Sequence, residues 1–205
     1  MMRAKVSHLW LFKAVSEGID AQESGAILTK LFFKFITFMI TVAPCKHGLG
    51  CFSQRTIEAG KPITMMLGRR ITSNYRSHPS FGVDAYYDNM LQVGESSYLI
   101  LKDPVQRLNH SCDPNAGIRN NRLIALRRIA PSEEICFDYS TTVDEGGSWQ
   151  MPCRCAALNC RGIIRDFIFL EEELQQHYLE LGIVMPYIVR KYYSVTAVPQ
   201  VVYAT

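Results

Sequence analysis

The sequence predicts a mainly β fold with few helices, in which several small sheets are followed by a C-terminal helix. Between residues 63 and 129, short runs of strand-forming residues (63–67, 86–93, 98–101 and 123–129) alternate with turn signals. Glu58-Ala59-Gly60-Lys61-Pro62 and Arg119-Asn120-Asn121-Arg122 are the clearest of those turns. The intervals are too short for crossover helices, which excludes a doubly wound parallel sheet with a dinucleotide site. After Cys160 the pattern changes: Leu170, Leu174, Tyr178 and Leu181 recur at helical spacing.

Residues 1–35 read as an N-terminal extension of mixed polarity without a motif. The apolar stretch 32–42 favours a strand, because it is rich in aromatic and β-branched residues and Pro44 is placed to end it. That strand leads into His47-Gly48-Leu49-Gly50-Cys51-Phe52, where a Gly-x-Gly turn lets backbone approach a ligand closely. It lacks the third glycine and the following helix of a dinucleotide fingerprint. In the helix from Leu170, the acidic residues 171–173 suit the positive end of the dipole, and Gly182 is placed to stop it. Residues 194–205 read as an extended tail.

With 205 residues, 48% of them hydrophobic, the chain suits one domain with a modest extension and a real core. A formal charge of +3 from 22 basic and 19 acidic side chains, with no run of five Lys or Arg, gives no reason to expect direct nucleic-acid specificity. The longest apolar run is interrupted by Lys34 and is shorter than a membrane span, and Lys13 breaks the only signal-like patch. Seven cysteines, odd in number and unevenly placed, argue against a secreted disulfide framework. The expectation is an intracellular, reducing compartment, cytoplasmic or nuclear, with secretion as an effector as the alternative.

Leu108-Asn109-His110-Ser111-Cys112-Asp113-Pro114-Asn115 concentrates an amide, an imidazole, a hydroxyl and a thiol ahead of a Pro-Asn turn. Pro114 biases Asp113 away from helix, so this cluster is expected on a bent backbone. Cys153, Cys155 and Cys160 place three thiols within eight residues, a spacing that converges readily on tetrahedral zinc. Cys112 is the candidate fourth ligand, which requires the chain after Pro152 to fold back on the bend. Cys45, Cys51 and Cys136 lie in apolar contexts and read as packing residues. Phe137 and Tyr139, two apart in Glu133-Glu134-Ile135-Cys136-Phe137-Asp138-Tyr139, would share one side of a strand and line one channel or pair in a core.

Taken in order, these pieces resemble the SET-domain family of protein lysine methyltransferases. The resemblance rests on residues 47–52, Leu67-Gly68-Arg69-Arg70-Ile71-Thr72, residues 109–115, residues 133–139, and Cys153-x-Cys155-x4-Cys160-Arg161-Gly162, the post-SET pattern. It implies a β-clip fold of small sheets in which the Asn109 and Tyr139 segments cross as a pseudoknot. The implied domains are a SET domain at 36–145, a post-SET zinc-binding segment at 146–165 and a C-terminal helical extension at 166–205. The chain looks like a small stand-alone, bacterial-type member.

The resemblance also implies S-adenosylmethionine as methyl donor, with His47, Gly48 and Leu49 touching it through backbone groups and Asn109 and His110 binding its amino-acid or adenine portions. Tyr139 would stand beside the reacting methyl, and one zinc ion would take Cys112, Cys153, Cys155 and Cys160. Phe137 occupies the position where Phe or Tyr governs product in the family, and Phe implies that di- or trimethylation is allowed. The implied partner is a protein or peptide lysine, in a histone tail or a non-histone protein. Met66 stands where the family often has a channel tyrosine, so that hydroxyl is either absent or supplied by Tyr86, Tyr87 or Tyr98. Gln106-Arg107 offers a shifted match to the usual Arg before the Asn-His pair, and Phe167 substitutes for the aromatic that closes the adenine pocket. The competing reading is a SET-like, zinc-stabilised peptide-binding module without catalysis.

Overall fold

The structure, a computed structural model, describes residues 39–72 and 90–193. The expected extension at 1–35, the tail from 194, and Tyr86 and Tyr87 lie outside the described residues. Those residues form short strands in five small sheets and two α-helices. β1 (Ile40–Cys45) and β2 (Gly48–Ser53) make an antiparallel hairpin. β3 (Pro62–Met65), β9 (Arg122–Ala125) and β8 (Ala116–Arg119) form one three-stranded sheet, in the order β3-β9-β8. β4 (Gly68–Thr72), β6 (Ser97–Leu101) and β5 (Met90–Gly94) form another, in the order β4-β6-β5.

Two smaller pairs complete the β body. β7 (Asn109–His110) runs parallel to β10 (Cys136–Phe137), and β11 (Gln150–Pro152) is antiparallel to β12 (Ile163–Arg165). The mainly β expectation therefore holds, with sequence-distant strands meeting in small sheets. The expected helix is α1 (Glu172–Glu180), followed by Gly182 at φ +63°.

Local chemistry explains most of these elements. Asn120 and Asn121 both adopt positive φ, 49° and 60°, which is the backbone that a tight β8–β9 turn requires and that Asn tolerates. Gly68 faces the main chain of β6: a Cβ there would press on the backbone of Ile100, so close pairing with Leu101 depends on glycine. Two expectations change. Pro44 does not end the first strand but lies within β1 opposite Leu49; among the described residues β1 has a partner on one side only, so an absent N–H is tolerated. Gly48 and Gly50 belong to β2, and the turn itself is at Lys46-His47.

The main core gathers Ile63, Leu123, Ile129 and Ile135 from the β body with Phe167, Tyr178, Ile183, Tyr187 and Ile188 from the C-terminal part. α1 and α2 (Pro186–Tyr192) thus share one apolar cluster with the sheets. Gly117 on β8 permits that contact, since a Cβ would come within 2.6 Å of Ile183 Cγ2. No helix among the described residues is long and apolar enough to cross a membrane.

Candidate active site

The bend at Asn109 becomes a junction because β7 has β10 as its partner. The parallel pair sets Asn109 beside Cys136 and His110 beside Phe137, and Ser111 N–H continues it by donating to the Phe137 carbonyl at 3.2 Å. Asn115, 3% exposed, locks the far end: its Nδ2 donates to the Glu134 carbonyl at 2.7 Å, and its Oδ1 accepts from Cys136 N–H at 2.9 Å. A buried amide so fully bonded fixes the register of a strand pair too short to fix itself.

Asn109 ties this junction to the glycine hairpin. Its Nδ2 donates to Glu134 Oε1 at 2.7 Å and to the Leu49 carbonyl at 3.2 Å. Gly50 makes room for the arrangement, because a Cβ would lie 3.1 Å from Asn109 Nδ2 and would collide with the Glu134 carboxylate. Beyond it, His47, Gly48 and Leu49 are exposed, and Gly48 stands at φ +105° with open space where a side chain would be. Exposed main chain at a side-chain-free position next to a polar amide suits a ligand held through backbone groups.

His110 holds the other side of the junction, opposite Phe137. Its ring is buried, accepts at Nδ1 from Tyr139 N–H at 3.2 Å, and approaches Cys112 Sγ with Nε2 at 3.3 Å. Burial pushes the imidazole down to about 4, against the pull of Asp138, so the ring is neutral at pH 7. With Nδ1 accepting, the proton sits on Nε2 and points at the Cys112 sulfur. The imidazole therefore couples the junction to the cysteines.

Tyr139 and Phe137 do come together on the wall of one cavity of about 360 Å³. Their ring centroids are 4.9 Å apart, and Tyr139 Oη donates to the Leu108 carbonyl at 2.7 Å. Leu101, Val105, Trp149 and Met151 make the rest of the wall largely apolar, while Gln92, Tyr98 and Glu145 supply polar groups. Met66 is 1% exposed within the core, and among the tyrosines weighed for its missing hydroxyl, Tyr98 lines the cavity. Gln106 also lines it, whereas Arg107 pairs with Asp103 at 3.3 Å on the surface. Phe167 does not serve as a ligand-stacking ring: it is 0% exposed and packs edge-on to Tyr193.

The chain after Pro152 folds back on the bend, bringing all four expected thiols together. Cys112 Sγ lies 3.7 Å from Cys153 Sγ, and Cys160 Sγ lies 3.6 Å from Cys153 Sγ. Zn–S bonds near 2.3 Å put the sulfurs of a tetrahedron about 3.8 Å apart, so this donor set fits that ion. His110, Cys112, Cys153 and Cys155 also have ligand atoms within 4.8 Å of one another. Burial opposes ionisation at Cys155, but N–H groups of Cys112 and Ala157 outweigh it and draw the thiol down to about 7. Cys51 and Cys136 behave oppositely, pushed up to about 12 by burial, as expected of packing thiols. All seven cysteines are unpaired.

Asp138 and Arg161 lie inside motifs that the sequence made visible, yet their partnership was not legible there. Arg161 reaches Asp138 with one nitrogen at 2.8 Å from Oδ1 and another at 2.7 Å from Oδ2. Ser140 N–H and Tyr178 Oη donate to the same carboxylate, at 3.0 Å each. This buried pair joins the cysteine segment, the junction and α1, and no sequence spacing announces it. Asp166 was missed as well: its Oδ2 accepts from Glu145 N–H and Gly147 N–H, both at 2.8 Å.

The family model described as SET domain matches residues 48–140, so the chain carries a SET domain over those residues. The chain is similar to a histone-lysine N-methyltransferase, H3 lysine-36 specific, of Eremothecium gossypii, 34% identical over 133 residues. That match covers 58% of this chain and 19% of the relative. Human histone-lysine N-methyltransferase 2B is 28% identical over 128 residues, covering 56% of this chain and 5% of the relative. The chain thus spans less than a fifth of the length of these curated relatives. Among solved structures, the methyltransferase domain of human histone-lysine N-methyltransferase SETMAR matches with a TM-score of 0.49 at 21% identity. It covers 63% of this chain and 58% of that one.

Proposed function

We propose that the chain is a protein-lysine N-methyltransferase that uses S-adenosylmethionine and carries out di- or trimethylation. The observation that carries this reading is the cavity wall, where the fixed Tyr139 hydroxyl and the Phe137 ring stand together in largely apolar surroundings. When bound, the donor supplies a methyl group on a cationic sulfur. His47, Gly48 and Leu49 would hold it through main-chain groups, with Asn109 positioning that main chain.

The cavity has to deliver a neutral amine. A lysine with an ordinary pKa near 10.4 is protonated at pH 7, and an apolar channel disfavours the ammonium. Tyr139 spends its proton on Leu108, so its oxygen is left to accept from the amine and aim the nitrogen lone pair for in-line attack. The displaced proton leaves through water. Phe137 adds no hydroxyl to crowd the cavity, which leaves room for an already methylated amine to turn. Cys112, Cys153, Cys155 and Cys160 would hold zinc as thiolates, with His110 donating to Cys112 rather than ligating. Such a set is stable where thiols stay reduced, in cytoplasm or nucleus.

The substrate is a lysine in a protein or peptide, a histone tail or a non-histone protein. Incubation with labelled S-adenosylmethionine and a panel of histones and host lysate tests activity and substrate class together. Label on a protein lysine is the expected result. Absence of both label and calorimetric binding of the donor would leave the peptide-binding module, a reading that the core position of Met66 favours by removing one channel hydroxyl.

A further inference from the structure

Tyr139 opens a single 3-10 turn, Tyr139–Thr142, and the cavity wall continues from it through Thr142 and Val143. A helix of one turn has no following turn to take its last carbonyl groups, and here Thr141 and Thr142 are buried. The C-terminal segment supplies the missing donors. Met185 N–H, at the entry to α2, donates to the Thr141 carbonyl at 2.9 Å, and Tyr187 Oη, within α2, donates to the Thr142 carbonyl at 2.7 Å. Just beyond the turn, Asp144 accepts from Lys191 Nζ at 2.6 Å and from Tyr192 Oη at 2.8 Å, both near the end of α2. Gln92 of β5, which also lines the cavity, accepts from Asp144 N–H at 2.9 Å and donates to the Asp144 carbonyl at 3.2 Å.

Tyr187 is itself buried, and burial pushes its hydroxyl far above the ordinary tyrosine range, so the proton stays in place for Thr142. We propose that α2 positions the part of the cavity wall that carries Tyr139, with Tyr187 as the positioning residue for Thr142 and Lys191 for Asp144. The inference rests on reading the cavity as the lysine site, and it extends the active-site framework to a helix that follows the SET domain in the chain. Tyr139 Oη is anchored on Leu108, next to β7, while the turn that carries its main chain is anchored on α2. Aim at the amine needs both, since a misplacement of about 1 Å costs about 100-fold in rate. Without the Tyr187 hydroxyl the Thr142 carbonyl is a buried acceptor with no partner, and the turn relaxes out of place.

The test follows hydrogen exchange on the full chain, kept reduced, as wild type and as Tyr187→Phe. Amides of residues 141–144 are expected to exchange about tenfold faster in the variant, with those of the β1–β2 hairpin unchanged. In the labelled-donor assay with histones and host lysate, the rate at saturating donor should fall about tenfold. The KM for S-adenosylmethionine should stay, because the donor contacts proposed above lie on the hairpin. A purely structural role would loosen hairpin and turn together and leave turnover per folded molecule unchanged. Unchanged exchange at 141–144, or an unchanged rate in an active enzyme, overturns the inference. If Tyr187→Phe melts early, Lys191→Met is the second variant. It should quicken exchange at Asp144 and slow transfer, each at least about threefold, and no change in either also overturns the inference. Quickened exchange at 141–144 with no label on any acceptor of the wild type sinks the methyltransferase reading alone. Full transfer by Tyr187→Phe with unchanged exchange sinks this inference alone.

Discussion

Tyr139 is held by its N–H on His110, its hydroxyl on the Leu108 carbonyl and its ring against Phe137, among other contacts. Only the hydroxyl is chemically special. Tyr139→Phe should therefore keep the fold and lower methyl transfer by about 100-fold or more, the scale of losing one positioned polar group in a dry site. Single-turnover assays beside a thermal melt check both halves, and full activity would remove Tyr139 from its role. Phe137→Tyr places a hydroxyl on the same wall. The expected outcome is a shift toward monomethyl product, read by mass spectrometry after exhaustive reaction of wild type and variant. At this scale the sequence was informative about which residues meet, since Phe137 and Tyr139 share one cavity wall and Cys112 lies against Cys153, itself beside Cys160. His110 was legible as a site residue, but its partner was not, because only folding decides which atom a ring nitrogen meets.

The elements show where local signals win and where packing overrules them. The Asn120-Asn121 turn and the helix ending before Gly182 follow from backbone preferences of single residues. β1 instead runs through Pro44, because hairpin pairing with β2 outweighs one missing donor on a one-sided strand. α2 escaped notice although Pro186 sits at its start, where proline is at home; seven residues give too little periodicity to read. Between elements, the Asp138–Arg161 pair carries the most weight. Asp138→Asn leaves Arg161 buried with half its compensation, and the expected loss is about 3 kcal/mol in denaturant unfolding. A change under about 0.5 kcal/mol would show that the pair is structurally neutral.

For the whole molecule, the cysteine cluster is the tie between the segment after Pro152 and the β body, supported by the small core of Cys112, Cys153 and Ile164. Metal binding to thiolates is folding free energy, so a chelator should lower the melting temperature and loosen the β11–β12 hairpin first. Elemental analysis should find about one zinc per chain in reduced wild type and less in Cys155→Ser. Acid should release it as well, since protons compete for the thiolates. A metal-free Cys155→Ser protein with wild-type melting would contradict the assignment. By itself the sequence determined the chemistry available: which residues can ligate, donate, turn or stack, and the order in which they come. It did so because those properties reside in single side chains and short spacings. The tertiary structure alone decided that β7 pairs with β10, that Arg161 meets Asp138, and that Glu145 faces the cavity. Each joins residues more than 20 positions apart, and no local preference fixes such a distance.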